Sequence, residues 1–129
     1  MKPTIYTFNL SETRLAKLRF ICFKLGILVK PVPPERFDHH IATIIGLSEP
    51  ETEPSTNTFA DEMLLFHHLS DHQLNQFLVT CKQQRFAPVA LKAIVTPDNS
   101  TWTAVELHAE LTQERQAVLK GETADHQEE

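Results

Sequence analysis

Shifted by 59 residues, this chain falls partly onto itself. Leu10-Ser11 then coincides with Leu69-Ser70, Leu15 with Leu74, Leu18 with Phe77, Cys22 with Cys81 and Ile27 with Phe86. The apolar runs just before, Ile5-Tyr6-Thr7-Phe8 and Met63-Leu64-Leu65-Phe66, coincide as well. Only four of the eighteen positions from Leu10 to Ile27 are identical, but they fall at a helix start and along the buried stripe behind it. A chain that repeats a strand and then a helix is restricted to folds in which two such units share a core.

Local patterns fill in each unit. Residues 4–9 are β-branched and aromatic and read as a strand. Ser11 follows as an N-cap, with Leu10 and Leu15 spaced as a hydrophobic staple, and Leu15, Leu18, Cys22 and Leu25 continue at helical spacing to Gly26. Ile27-Leu28-Val29 reads as a second strand, stopped by prolines 31, 33 and 34. Residues 35–46 then form a short helix pattern with Phe37, Ile41, Ile44 and Ile45 on one side. In the second unit Met63–Phe66 is the strand and Ser70 caps a helix, with Gln73 at the capping-box position. That helix should turn Leu74, Phe77, Leu78 and Cys81 inward. Val89–Val95 is the strongest strand pattern, Pro97–Ser100 a turn, and Thr103 with Glu106 opens a last helix expected to reach Leu119 and stop at Gly121.

Each unit therefore reads strand, helix, strand, helix. The fold class predicted is α/β: two tandem units sharing one four-stranded sheet about a pseudo-twofold axis, as a ferredoxin-like α/β sandwich with extra helices. Two small βαβ halves with all strands parallel are the alternative. The boundaries expected are a first unit at 1–47, a connector at 48–58, a second unit at 59–121 and a tail at 122–129. A tandem chain of this kind carries its own partner, so a monomer with an internal pseudo-dimer is expected, or a dimer through an outer face.

Charge follows these boundaries. Residues 1–47 carry seven Lys/Arg against three acids, 48–62 five acids and no base, 63–121 five of each, and 122–129 four acids and no base. The net −5 thus belongs to the connector and tail, and both lack apolar residues to offset ordering entropy, which predicts mobility. No apolar run reaches bilayer length and no leader pattern precedes the first strand, so no membrane and a cytoplasmic location are expected. The two cysteines match no metal or redox spacing and read as buried thiols.

One stretch of the second unit has a particular signature: Glu62-Met63-Leu64-Leu65-Phe66, Leu69-Ser70, Leu74, Leu78, the run Pro88–Pro97, Asn99, Trp102-Thr103, Leu107, Glu110-Leu111 and Glu114. Over roughly 59–115 it resembles an uncharacterised bacterial family known as domain of unknown function 3783. Arg115 stands where the resemblance leads one to expect a histidine. The first unit lacks the Lys-Ala, Thr-Pro, Asn and Trp set and looks like a diverged copy. The resemblance implies no activity, cofactor or partner.

Chemistry must then be argued from residues. Lys92 stands inside Val-Ala-Leu-Lys-Ala-Ile-Val, on the face shared by Ala90 and Ile94. Its ammonium is directed either to water or into a cleft. Thr96, Asn99 and Trp102 follow at the carboxyl end of the strand, where α/β sheets place ligands. Lys92, Thr96, Asn99 and Trp102 together would suit a small anion or a partner protein. The bland alternative is an ordinary turn with Trp102 as packing. His39-His40, His67-His68 and His72 invite a metal reading, and His68 and His72 are four apart. The helix begins at about Ser70, however, so those two need not share a face, and nothing supplies three or four converging ligands. No nucleophile elbow, phosphate loop or zinc-helix motif occurs, and three glycines exclude a glycine-rich cradle. The sequence thus predicts a binding or interaction module with no catalytic residues, metal or cofactor. An enzyme using Lys92 is the competing class, and nucleic-acid binding by the basic first unit is a third and weaker one, because Tyr6 and Phe8 have no aromatic pair on a neighbouring strand.

Overall fold

The computed structural model describes the backbone of residues 2–128 and the side chains of residues 2–120. Among these the order is β1 (Thr4–Phe8), α1 (Glu12–Leu25), β2 (Leu28–Pro31), a 3-10 turn (Pro34–Arg36), α2 (Ile41–Ile44), β3 (Met63–His67), α3 (Asp71–Gln83), β4 (Leu91–Ile94), a 3-10 turn (Asn99–Thr101) and α4 (Ala104–Glu128). The chain is a mixed α/β protein with one open sheet in the order β2-β1-β3-β4. β1 runs parallel to β2, β3 parallel to β4, and the two pairs meet antiparallel at β1 and β3.

Both faces of the sheet are covered, which explains why β1 and β3 are apolar runs without polar alternation. Ile5, Leu64 and Phe66 point to one side and pack with Leu18, Ile21 and Cys22 of α1 and Phe77 and Cys81 of α3. Tyr6, Phe8, Met63 and Leu65 point to the other, against Phe37, Ile41, Ile44, Ile45, Ala104 and Leu107. The helix ends are made as their residues dictate. The Ser11 hydroxyl accepts the Arg14 amide, and Ser70 with Gln73 closes a full capping box. Thr103 and Glu106 form the same reciprocal pair at the start of α4.

The internal correspondence extends to the backbone. Asn9 and His68 both take left-handed conformations, at φ 65° and 64°, and so do Gly26 and Arg85, at 71° and 57°. Each pair is separated by the same 59 positions. In the central ladder Tyr6 stands opposite Leu65, its own counterpart at that offset.

Several expectations need correction. Each half is a parallel βαβ unit, as the alternative has it, but the halves are not separate: they join antiparallel at β1 and β3 in one sheet. The two strands of each unit are also direct neighbours, whereas a ferredoxin-like sandwich splits them with a strand from the other unit. The strand expected at 89–95 is shorter, Leu91–Ile94, with one further bond from the Val95 amide to Phe66 O before the Thr96-Pro97 turn. The helix expected at 35–46 is a 3-10 turn and one short helix, yet Phe37, Ile41, Ile44 and Ile45 are buried as anticipated. Leu78, expected to face inward, is 43% exposed on the outer side of α3. The backbone of α4 continues past Gly121, since one glycine costs a helix only about 1 kcal/mol. The side chains of the tail expected at 122–129 lie outside those described.

The connector differs most from its composition. Asp38 accepts from the Thr56 and Asn57 amides, the Ser55 hydroxyl accepts the Asp38 amide, and the Ser55 amide donates to Glu35 O. His39 Nε2 lies 2.7 Å from Glu53 O, and the Glu51 carboxylate takes both the amide and the ring nitrogen of His40. Polar side chains of residues 38–40 thus supply an anchorage that apolar burial does not.

Candidate functional site

The four residues singled out by sequence do not form one cluster. Asn99 is buried and its amide is fully engaged: Oδ1 accepts the Thr96 amide at 2.8 Å and Nδ2 donates to Ile94 O at 2.9 Å. Thr96 Oγ1 accepts the Asn99 amide in return. These two residues build the turn. Trp102 packs on the core shared with α4, and its carbonyl accepts the Ile41 amide. Lys92 lies on the opposite face of the sheet from the Leu91 and Ala93 side chains that adjoin Trp102. It is exposed, and its ammonium donates to Val89 O.

A groove of about 480 Å³ opens elsewhere, between α4 and the loop that precedes β4. Thr112, Arg115, Gln116 and Leu119 line one wall. Their spacing of i, i+3, i+4 and i+7 sets them on one side of the helix. Pro88, Ala90 and Leu91 form the facing wall, and Asp61 and Glu62 lie at one end. The proline and the loop around it leave the segment before β4 unpaired, so the helix is not closed down upon a strand at this level.

The charges of the groove are unequally committed. Glu62 is clamped by Arg14, whose Nε and Nη2 reach its two oxygens at 2.5 and 3.0 Å. The same guanidinium donates to Ala87 O and lies 4.3 Å from the centre of the Phe86 ring. Asp61 is 2.8 Å from His108 Nε2, and the His108 ring stacks on Phe59 at 4.2 Å. Arg115 makes no hydrogen bond or ion pair among the described residues, and its side chain is exposed to the groove. Both acids are spoken for, and the cation remains.

Other reactive groups are unsuited to chemistry. Burial, with the neighbouring Cys81 adding to it, pushes the Cys22 thiol up to about 12. Burial likewise raises Cys81 to about 11 against the opposing pull of Lys92. Neither is a ready thiolate. The His67 and His68 rings lie 3.7 Å apart, tilted by 32°, and burial first, then His68, lowers the His67 pKa. Among the described residues no group of His, Cys, Asp and Glu is arranged to hold a metal ion, and no helix is long and apolar enough to cross a membrane.

Sequence reasoning had noted Arg115 only as a departure from the expected histidine. It missed the groove because Arg14–Glu62 and Asp61–His108 join residues 47 or 48 positions apart, and no local spacing encodes such pairs. The family model described as a domain of unknown function, DUF3783, matches residues 62–118. That stretch covers β3, α3, β4 and the groove residues from Glu62 to Gln116, so this chain is similar to that family over its second unit. The chain matches no curated protein and no solved structure.

Proposed function

We propose that this chain is a non-catalytic interaction module that receives a carboxylate-bearing apolar segment of a partner protein in the groove beside α4. In this reading the first unit is a diverged copy of the second, the two form an internal pseudo-dimer, and the groove belongs to the second unit alone. The observation that carries it is Arg115: a guanidinium unpaired among the described residues, in a groove whose two carboxylates are already bound to Arg14 and His108. Guanidinium pairs with a carboxylate through two parallel hydrogen bonds, and Pro88, Ala90 and Leu91 supply an apolar wall beside it. The groove sets this apolar wall against the polar side chains of Thr112, Arg115 and Gln116, so an occupant needs both an apolar and a charged side.

The second reading keeps the anion at Lys92, favoured by the exposure of that ammonium at the edge strand. An enzyme using Lys92 would need the amine desolvated, and an exposed side chain argues against that class. The two readings separate in one experiment. Short apolar peptides with a free C-terminal carboxylate, each paired with its C-terminal amide, are titrated against the labelled protein by amide NMR. The groove reading expects shifts in 88–91 and 112–116 with the free acid only, lost in Arg115→Gln and kept in Lys92→Met. Loss in Lys92→Met with retention in Arg115→Gln moves the site to the edge strand. Equal binding of acid and amide by both variants sinks both.

A further inference from the structure

The outer side of α1 is built for contact. Leu18, Ile21 and Cys22 are buried against the sheet. At 100° per residue the opposite side of the helix then carries Ala16, Phe20 and Phe23. Phe23 is 85% exposed and Phe20 56%, and a pair of large aromatics in water on one helix face is a far more informative observation than a scattered exposed leucine. Lys17, Arg19 and Lys24 flank them, and the Lys24 ammonium stands 4.4 Å from the centre of the Phe20 ring. Glu12 is the single acid of the helix. A protein of net charge −5 thus concentrates three cations around two exposed rings, and none of the three is paired with an acid among the described residues. The neighbouring helix α3 shows Leu78 and Val79 to solvent at 43% and 47%, and Val79 is the counterpart of Phe20 at the 59-residue offset.

We infer that this face of α1 docks an acidic segment of a partner protein that also carries apolar side chains. Charge complementarity selects the occupant. An aromatic centre ringed by cations is the anatomy of a protein interface, where the rings anchor and the charged rim chooses the partner. Stacking of nucleic-acid bases is less well served, since Lys24 already covers one face of Phe20 and leaves Phe23 alone as a platform. This face lies across the sheet from α4, so the inference stands on residues separate from the groove and does not depend on it.

The test uses the full chain and a fluorescent random copolymer of glutamate and tyrosine, read by anisotropy. Polyglutamate, single-stranded oligothymidylate and vesicles of phosphatidylcholine with phosphatidylserine serve as competing probes. The copolymer should bind more tightly than polyglutamate. Phe20→Ser with Phe23→Ser should weaken it by about tenfold or more with no loss of melting temperature. Replacing Lys17, Arg19 and Lys24 by glutamine should weaken it and flatten its salt dependence. Arg115→Gln should leave it unchanged. The inference is overturned by no copolymer binding, by binding indifferent to the two phenylalanines, or by tighter binding to the oligonucleotide or the vesicles.

Discussion

Arg14 on α1 grips both carboxylate oxygens of Glu62, the residue that leads into β3, and so ties the first unit to the second at one end of the sheet. Both side chains are about two-thirds or more covered, and Arg14 also donates to Ala87 O and lies on Phe86. A pair of this kind should exceed the 0–1 kcal/mol typical of exposed ion pairs. A double-mutant cycle with Arg14→Met and Glu62→Gln, followed by urea unfolding, should give a coupling of roughly 1–2 kcal/mol. A coupling near zero would reduce the clamp to a surface contact and weaken the account of why Arg115 is left unpaired.

The anchorage of residues 48–58 should depend on pH. The Asn57 amide is the largest influence holding the Asp38 carboxyl below its usual value; burial opposes it next, and the hydrogen bonds from Thr56 help to outweigh that opposition. For Glu51 burial acts upward, and the hydrogen bonds from His40 and Thr43 together outweigh it. Both carboxyls thus titrate lower in the folded chain than in the unfolded one. Their contribution is present above the unfolded carboxylate range of about 4 and is lost as pH falls through the depressed values. Heteronuclear NOEs of Thr56 and Asn57 should match the sheet at pH 7 and drop as acid titrates the two carboxyls through their depressed values. Asp38→Ala should produce the same drop at pH 7. Low values at pH 7 in the unaltered protein would refute the anchorage.

Much of the fold was legible because its determinants are local. Ser11, Ser70 and Thr103 mark three helix starts by their own side chains, and the burial of Phe37, Ile41, Ile44 and Ile45 follows from spacing. Strand order was not legible, since β1 pairs both with β2, a helix away, and with β3, more than fifty residues on. Connector anchorage was misread because composition registers missing apolar residues but cannot show that Asp38 will face Asn57. Lys92 and Asn99 drew notice by residue type, yet Asn99 proves to be the brace of a turn. Arg115 and Phe23 matter through what surrounds them, and surroundings are not written in the local pattern.

Arg85 offers a test of the internal correspondence. It occupies a left-handed conformation just beyond α3, where the first unit has Gly26 just beyond α1. A side chain with a Cβ is strained there by roughly 1–2 kcal/mol, and glycine is the favoured residue at this place after a helix. Arg85→Gly should therefore stabilise by about 0.5–1 kcal/mol after the added freedom of the unfolded chain is offset. Gly26→Ala should destabilise by a similar amount, through backbone strain alone, because an added Cβ meets nothing within 4 Å. Thermal melts that move both variants in the same direction would contradict this.

Trp102 and Lys92 lie on the two faces of one sheet, and their substitutions separate a packed ring from a surface charge. Trp102 is half-buried against the α4-side core, and its main chain bonds Asn99 O and the Ile41 amide. With Leu107 it staples the start of α4. Trp102→Ala keeps those main-chain bonds and removes only the ring, so the loss should be about 2–3 kcal/mol, below that of a fully buried tryptophan. Lys92→Met keeps the aliphatic stem and deletes one charge whose partner is the Val89 carbonyl, so stability should stay within about 1 kcal/mol. Paired urea titrations measure both. If Lys92→Met proves as costly as Trp102→Ala, the ammonium is structural, and the edge-strand alternative to the Arg115 groove loses the cation it rests on.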